Sequence, residues 1–139
     1  MKITRILLPV DGSRMSDAAA DMAVDLANES GTIVLLHVRR TVPTGLGQPN
    51  ANELLEYLNK GAEEVVAHYR DKLIKAAVDF QELVIGGDVA EVIANVAKVE
   101  RCDIIVIGSK GKSDLEGLFL GSVTHKVLQT TDRPVLVVK

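Results

Sequence analysis

The chain has 139 residues, of which 47% are apolar and 25% charged, a size and a balance typical of one globular domain. The formal charge of −3 argues against nucleic acid or an anionic membrane as the main partner, and the single cysteine excludes an internal disulfide and a multi-cysteine metal site. No apolar run approaches membrane-spanning length, and the N-terminal residues read as a first strand rather than a signal peptide, so we expect a cytoplasmic protein.

Five short segments rich in Val, Ile and Leu are predicted strands, each bounded by Gly, Pro or Asp. They comprise residues 3–10, 32–38, 80–85, 103–107 and 134–138. The fourth contains the run Ile104-Ile105-Val106-Ile107, which is typical of a parallel-sheet strand covered on both faces.

Between these strands, apolar residues recur every three or four positions, which predicts four helices. The first contains Met15, Met22 and Leu26 and is ended by Gly31, and the second spans residues 52–77. The third begins near Val89, where Asp88 and Glu91 form a capping pair, and the fourth runs from about Ser122 to before Pro134.

Strict alternation of strand and helix predicts an α/β fold with a single doubly wound, five-stranded parallel sheet and helices on both faces, a Rossmann-like architecture. Ligands in such sheets bind outside the carboxyl ends of the strands, where the strand order reverses. The candidate loops therefore follow Val10, Val38, Ile85 and Ile107. The irregular residues 41–50 are either a flap over the site or a surface link, and we favour the link.

The loop after the fourth strand, residues 108–122, contains four glycines and two lysines. A helix that opens at Gly121-Ser122 would present free N–H groups to an anion, but the residues alone favour this equally with a solvated surface turn. Gly111-Lys112-Ser113 is not the end of a P-loop, because the position five residues before Gly111 is Val106.

The spacing Gly108-x2-Gly111-x9-Gly121-Ser122 resembles that of the ATP-binding branch of the universal stress protein family. Residues 6–13, 36–38, 103–108 and 133–138 resemble the family in the same order, so that the resemblance covers residues 1–139 as one nucleotide-binding domain. It implies an adenine nucleotide alpha hydrolase-like fold, ATP and Mg²⁺ as ligands, and a homodimer formed through the C-terminal strand.

The resemblance also implies a site, residue by residue. Pro9, Val10 and Asp11 would line the nucleotide, with Asp11 near the ribose or a metal, although Asp11 has an alternative role in capping the first helix. Val38 would meet the adenine through its backbone. Gly108 and Gly111 would cradle the ribose and phosphates. The distal phosphates would be met by Gly121, Ser122 and Val123, and Lys112 would add positive charge.

We expect a regulatory protein that holds Mg-ATP and signals through its dimer or a partner, and we assign no catalytic residue. A slow ATP hydrolase and a nucleotide-free dimeric interaction module remain as alternatives. The acids of the loop, Asp114 and Glu116, lie on no predicted rigid element, which disfavours fast hydrolysis, and the intact glycine pattern disfavours the interaction module.

The remaining candidate residues are predicted to be structural. His37, His68 and His125 lie at no metal-ligand spacing, and Cys102 precedes a buried strand, where a thiol is inert.

Overall fold

The computed structural model describes residues 2–28 and 30–139 as alternating strands and helices. In chain order they are β1 (Arg5–Pro9), α1 (Arg14–Ala27), β2 (Thr32–Arg39), α2 (Asn50–Lys75), β3 (Asp79–Gly86), α3 (Val89–Val99), β4 (Ile104–Gly108), α4 (Ser122–Thr130) and β5 (Val135–Val138).

The strands form one parallel sheet in the order β3-β2-β1-β4-β5. The chain therefore moves outward from β1 to β3, crosses back to β4 and ends at β5, so that the strand order reverses between β1 and β4. Helices α1 and α2 cover one face, and α3 and α4 cover the other. The predicted doubly wound sheet is confirmed.

The two faces of the sheet follow from the period of two along each strand. In β1, Ile6 and Leu8 pack toward α1 and α2, whereas Leu7 packs toward α3 and α4. Both β1 and β4 are buried along almost their whole length, as the apolar sequence of β4 predicts.

The bounds of the elements differ from the prediction by a few residues. Helix α1 ends at Ala27, where Asn28 takes a left-handed backbone conformation at φ 50°, so the helix stops before Gly31 is reached. Helix α2 begins and ends two residues earlier than predicted. Strands β2 and β3 each extend one residue further at their carboxyl ends.

The link between β2 and α2 runs over the surface, and residues 43–50 are exposed. It contains a cis peptide bond between Gln48 and Pro49. Among the residues that the structure describes, no helix is both long enough and apolar enough to cross a bilayer.

Candidate functional site

An open cleft of about 250 Å³ lies at the carboxyl edge of the sheet, over the ends of β1 and β4. This is the point at which the strand order reverses. Because the connections from β1 and β4 leave the sheet toward opposite faces there, the two strand ends leave a crevice between them, which is where ligands bind in doubly wound folds.

One side of the cleft, which we call the apolar end, is walled by aliphatic side chains from two strands and one helix. Leu36 and Ile93 are fully buried, whereas Val89 is 37% exposed at the mouth. A slot of this kind can cover the faces of a flat ring. The side chains that form the apolar end are Leu36, Val38, Val89, Ile93 and Ile107.

The other side, which we call the amide end, consists of the loop from Gly108 to Asp114 and the first turn of α4, residues 122–124. The first hydrogen bond within α4 runs from the His125 N–H to the Gly121 carbonyl. The N–H groups of Ser122, Val123 and Thr124 therefore have no partner within the helix, and the positive end of the helix dipole lies beside them.

Helix α4 differs from α1 and α3 in how it begins. Ser13 Oγ accepts the Ser16 N–H at 3.1 Å at the start of α1, and Asp88 Oδ2 accepts the Glu91 N–H at 3.1 Å at the start of α3. The residue directly before α4 is Gly121, which has no side chain to cap the helix. Its first amides are thus available to groups from outside the helix.

Asp11 ties the end of β1 to both neighbouring loops. Its Oδ1 accepts the Ser13 N–H at 2.9 Å, and its Oδ2 accepts the Lys112 N–H at 3.1 Å. A Cβ at position 111 would lie 2.6 Å from Asp11 Oδ2, so Gly111 permits this close approach. Both carboxylate oxygens therefore organise the backbone, but Asp11 does not cap α1 as weighed from the sequence, because Ser13 is the capping residue.

Eight of the ten predicted site residues line the cleft: Pro9, Val10, Asp11, Val38, Gly108, Gly111, Lys112 and Val123. The other two, Gly121 and Ser122, are not among the lining residues: Gly121 is buried, whereas Ser122 is exposed. The Gly121 N–H donates to the Ser109 carbonyl at 2.6 Å, so this amide, predicted to serve a phosphate, is engaged within the protein. A Cβ on Gly121 would come within 2.8 Å of Lys110 Cα, which explains the glycine by close packing.

The structure adds residues that the sequence did not assign to the site. Val89 and Ile93 come from α3, and only the sheet order places that helix over β1 and β2. Thr124 Oγ1 is buried and donates to the Gly108 carbonyl at 2.8 Å. This bond joins the last residue of β4, where the glycine loop starts, to α4. Its position two residues after the Gly121-Ser122 pair was the one signal that could have marked it.

A buried chain of hydroxyl groups supports the end of β1 from behind. Ser16 Oγ accepts the Asp11 N–H at 3.1 Å, and the Tyr69 hydroxyl lies 2.9 Å from Ser16 Oγ and 2.7 Å from Asp17 Oδ1. An ionised Asp17 can only accept, so Tyr69 donates to Asp17 and accepts from Ser16. Burial raises the pKa of Tyr69 well above its usual value, so the hydroxyl stays protonated.

The residues predicted to be structural, among them His37 and Cys102, do not line the cleft. His37 Nδ1 lies 2.8 Å from the Val10 carbonyl, and burial raises the pKa of the Cys102 thiol to about 11. Residues 41–50 contribute nothing to the cleft lining, which agrees with a surface link and not a flap. Within residues 2–28 and 30–139, no three His, Cys, Asp or Glu side chains cluster as metal ligands would.

Comparisons with known proteins agree with this architecture. The model of the universal stress protein family matches residues 2–139. The chain is 33% identical to the universal stress protein YxiE of Bacillus subtilis, over 97% of this chain and 98% of that protein.

Two solved structures extend the comparison. The structure of MJ0577 from Methanocaldococcus jannaschii superposes with a TM-score of 0.90 at 29% identity and covers all of this chain and 97% of that one. A universal stress protein solved in complex with cAMP superposes with a TM-score of 0.76 at 20% identity, covering all of this chain and 99% of that one.

Proposed function

The chain belongs to the universal stress protein family, and we propose that it is a regulatory member that binds an adenine nucleotide in the cleft between β1 and β4. The observation that carries the proposal is the meeting of the apolar end and the amide end in one cleft. A nucleotide has the same two halves, a flat base and a phosphate chain. The similarity to a relative solved with cAMP supports the same ligand class.

We propose ATP as the ligand, oriented along the cleft. The adenine lies in the apolar end, where the backbone of Val38 meets its edge, and Pro9 and Val10 line the sugar side. Gly108 and Gly111 cradle the ribose and phosphates, while the amides of Ser122 and Val123 face the distal phosphates. Lys110 and Lys112, at the same end, add positive charge.

The residues present fit a magnesium ion that arrives with the nucleotide. Mg²⁺ is usually held by one or two carboxylates together with phosphate oxygens and waters. Asp11 and Asp114 are the carboxylates of the cleft lining, and each already accepts backbone N–H groups. Phosphate oxygens would therefore supply most of the ligands, and the ion would reduce the charge that the amide end must stabilise.

A bulky side chain at the mouth of the cleft tests whether the nucleotide binds there. Val89 lies at the mouth on the first turn of α3, whereas Val99 lies at the far end of the same helix and is 66% exposed. We expect Val89→Trp to weaken Mg-ATP binding at least about tenfold by occupying the slot, and Val99→Trp to leave it unchanged. Isothermal titration with Mg-ATP, adenosine and GTP provides the measurement, with circular dichroism as the check on folding. Equal affinity in both variants would place the nucleotide elsewhere.

Binding and turnover are separated by the molecules that the purified protein carries. The protein is denatured, and the released small molecules are run on anion exchange against adenine nucleotide standards. Recovered ATP supports a binding protein, whereas mainly ADP favours the slow hydrolase. A protein that carries nothing and binds no adenine compound on titration would favour the nucleotide-free interaction module.

We propose further that two copies pair through β5, the apolar edge of the sheet. The carbonyls of Pro134 and Val138 accept bonds from β4, so the alternate residues Val135 and Val137 turn their N–H and C=O groups outward. The strand has the sequence Val-Leu-Val-Val, and each of its side chains is only half-buried. An apolar edge without charges favours pairing with another strand.

Amide hydrogen exchange tests this pairing without a substitution. In a monomer the outward N–H groups of Val135 and Val137 exchange quickly, whereas a β5–β5 pair protects them. We expect protection together with a sedimentation coefficient of a dimer, and we expect Val137→Pro, which removes one outward donor, to shift the protein toward monomer. Fast exchange at both positions, or a monomer on sedimentation, would contradict the homodimer.

A further inference from the structure

The amide end of the cleft holds an anion that belongs to the protein itself. Asp114 Oδ2 accepts the Gly111 N–H at 2.6 Å. Its Oδ1 lies 3.3 Å from the Ser122 nitrogen and 3.4 Å from Ser122 Oγ. The carboxylate thus bridges the glycine loop and the first turn of α4, and it lines the cleft.

This contact takes the place of a helix cap. The residues directly before α1 and α3, Ser13 and Asp88, cap those helices, but the residue directly before α4 is a glycine. Asp114, eight positions before Ser122, supplies the missing acceptor from the loop. A carboxylate that accepts one N–H from a glycine loop and one from a helix N-terminus uses the same chemistry as a phosphate group.

Gly121 makes the room for this carboxylate. A Cβ at position 121 would lie 3.0 Å from Asp114 Cγ and would collide with Oδ2 of the same side chain. The glycine that the sequence pattern associates with phosphate binding therefore contacts an acidic side chain of the protein itself. The carboxylate and a nucleotide phosphate cannot both accept from the N–H groups of Gly111 and Ser122.

From these contacts, and on the basis of the proposed nucleotide site, we propose that Asp114 is a specificity-determining residue that competes with nucleotide phosphates for the amide end. A ligand with a phosphate at this end must displace the carboxylate and then lie close to its negative charge. A nucleoside, which has no phosphate, binds the apolar end without displacing it. Asp114 thereby lowers the affinity for bare phosphates and favours phosphates whose charge a cation has reduced.

The segment around Asp114 can yield at small cost in packing. The loop that follows it contains no helix or strand, and its side chains Leu115 and Phe119 are 75% and 77% exposed. Gly117, at φ 87°, provides a backbone position that few other residues adopt. Displacement of Asp114 therefore breaks hydrogen bonds with the amides, which the phosphate then replaces, and exposes little additional apolar surface to water.

The test compares two losses of one negative charge in the same loop. Asp114→Asn removes the charge from the amide end, and Glu116→Gln removes an equal charge two residues away, on an exposed side chain. We expect Asp114→Asn to raise the affinity for ATP without Mg²⁺ about tenfold, to change the affinity for Mg-ATP less, and to leave the affinity for adenosine unchanged. Glu116→Gln leaves all three affinities unchanged. Isothermal titration gives the affinities.

A second readout does not depend on a substitution. In the wild-type protein, the amide ¹H signals of Gly111 and Ser122 should shift when ATP replaces the carboxylate and should remain in place with adenosine. Binding of ATP with equal affinity to wild type and Asp114→Asn would overturn the role of Asp114 while the nucleotide site stands, and so would an equal gain in Glu116→Gln. Failure of every adenine compound to bind either protein would overturn the proposed function and this inference together.

Discussion

The apolar end and the amide end of the cleft are built from different kinds of structure. Leu36, Ile93 and Ile107 of the apolar end are buried side chains on strands and a helix, held by the packing of the sheet. The amide end is a glycine loop and a helix terminus, held by hydrogen bonds among backbone amides, Asp11 and Asp114. The first is a preformed shape, whereas in the second the N–H groups of Gly111, Lys112 and Ser122 are bonded to carboxylates of the protein itself.

This difference predicts that changes at the two ends have different signatures. A change at the apolar end alters the stability of the protein and affects every adenine compound alike, because the base and the core share the same wall. A change at the amide end leaves the core intact and affects only the ligands that carry phosphate.

The largest effect is expected from Ile93→Ala, which removes a fully buried side chain of the apolar end. The loss of buried surface and the cavity left behind should lower the free energy of unfolding by about 2–5 kcal/mol. The affinities for adenosine and for ATP should fall by the same factor. Denaturant unfolding and titration measure both, and Val99→Ala, on the exposed part of the same helix, is the control. A loss of ATP affinity alone would break the distinction between the two ends.

Gly121→Val should have the opposite signature. The side chain would press on Lys110 Cα and on Asp114, and the loop would move away from α4. We expect the affinity for ATP to fall about a hundredfold while adenosine changes little and the circular dichroism spectrum stays the same. Gly61→Val, at a helical position with open space around it, is the matched substitution. Unchanged ATP binding would remove the first turn of α4 from the site.

Tyr69→Phe tests the support behind the junction of the two ends. The change removes the hydroxyl between Ser16 and Asp17 and leaves Ser16 without its buried partner. The free energy of unfolding should fall by about 1–2 kcal/mol. The affinities for ATP and adenosine should fall by a similar small factor, since the loop at Asp11 lies beside both ligands in the proposed site. Selective weakening of ATP would show that the hydroxyl chain supports the amide end alone.

The smallest effect is expected at the self-capped helix α3, as a contrast to α4. The bond from the Glu91 N–H, followed by the ion pair with Lys126, lowers the pKa of Asp88 below its usual value. Its carboxylate therefore stabilises the fold above the unfolded-state pKa of about 3.9, and this contribution is lost as the pH falls through the lower folded value.

Asp88→Ala should therefore be less stable than wild type at neutral pH, and the difference should shrink at pH values near 3 and below. Denaturant unfolding at several pH values gives the two curves. Nucleotide affinity should remain nearly constant, because Asp88 caps its own helix and does not line the cleft. A stability difference that is constant with pH would show that the cap charge is not the cause.

Much of the fold could be predicted because its signals are local. The apolar runs of β1 and β4 and the Asp88–Glu91 cap each depend on residues close together in the chain, and the structure confirms all three elements. The ends of the elements were less predictable. Asn28 ends α1 by adopting a left-handed conformation, whereas the pattern indicated Gly31 as the stop.

The candidate site was predictable where it follows a motif. Val10, Val38 and Gly111 lie in segments with recognisable spacing, and each lines the cleft. Val89 and Ile93 belong to α3, which follows β3 at the far edge of the sheet, and no local signal indicates that this helix reaches the cleft. Lys112 also lines the cleft, and the charge that it would add to the site stays a prediction.

The amino-acid sequence by itself determined the alternating elements, the two-faced burial of β4 and the placement of a glycine loop at the carboxyl edge, because hydrophobic period and helix caps act over a few residues. Only the tertiary structure decided which partners the loop amides take. Gly121 donates to Ser109, and Asp114 accepts from Gly111 and faces Ser122. Such hydrogen bonds depend on where separate backbone segments come to lie together, and that depends on the order of the strands and the packing of the helices.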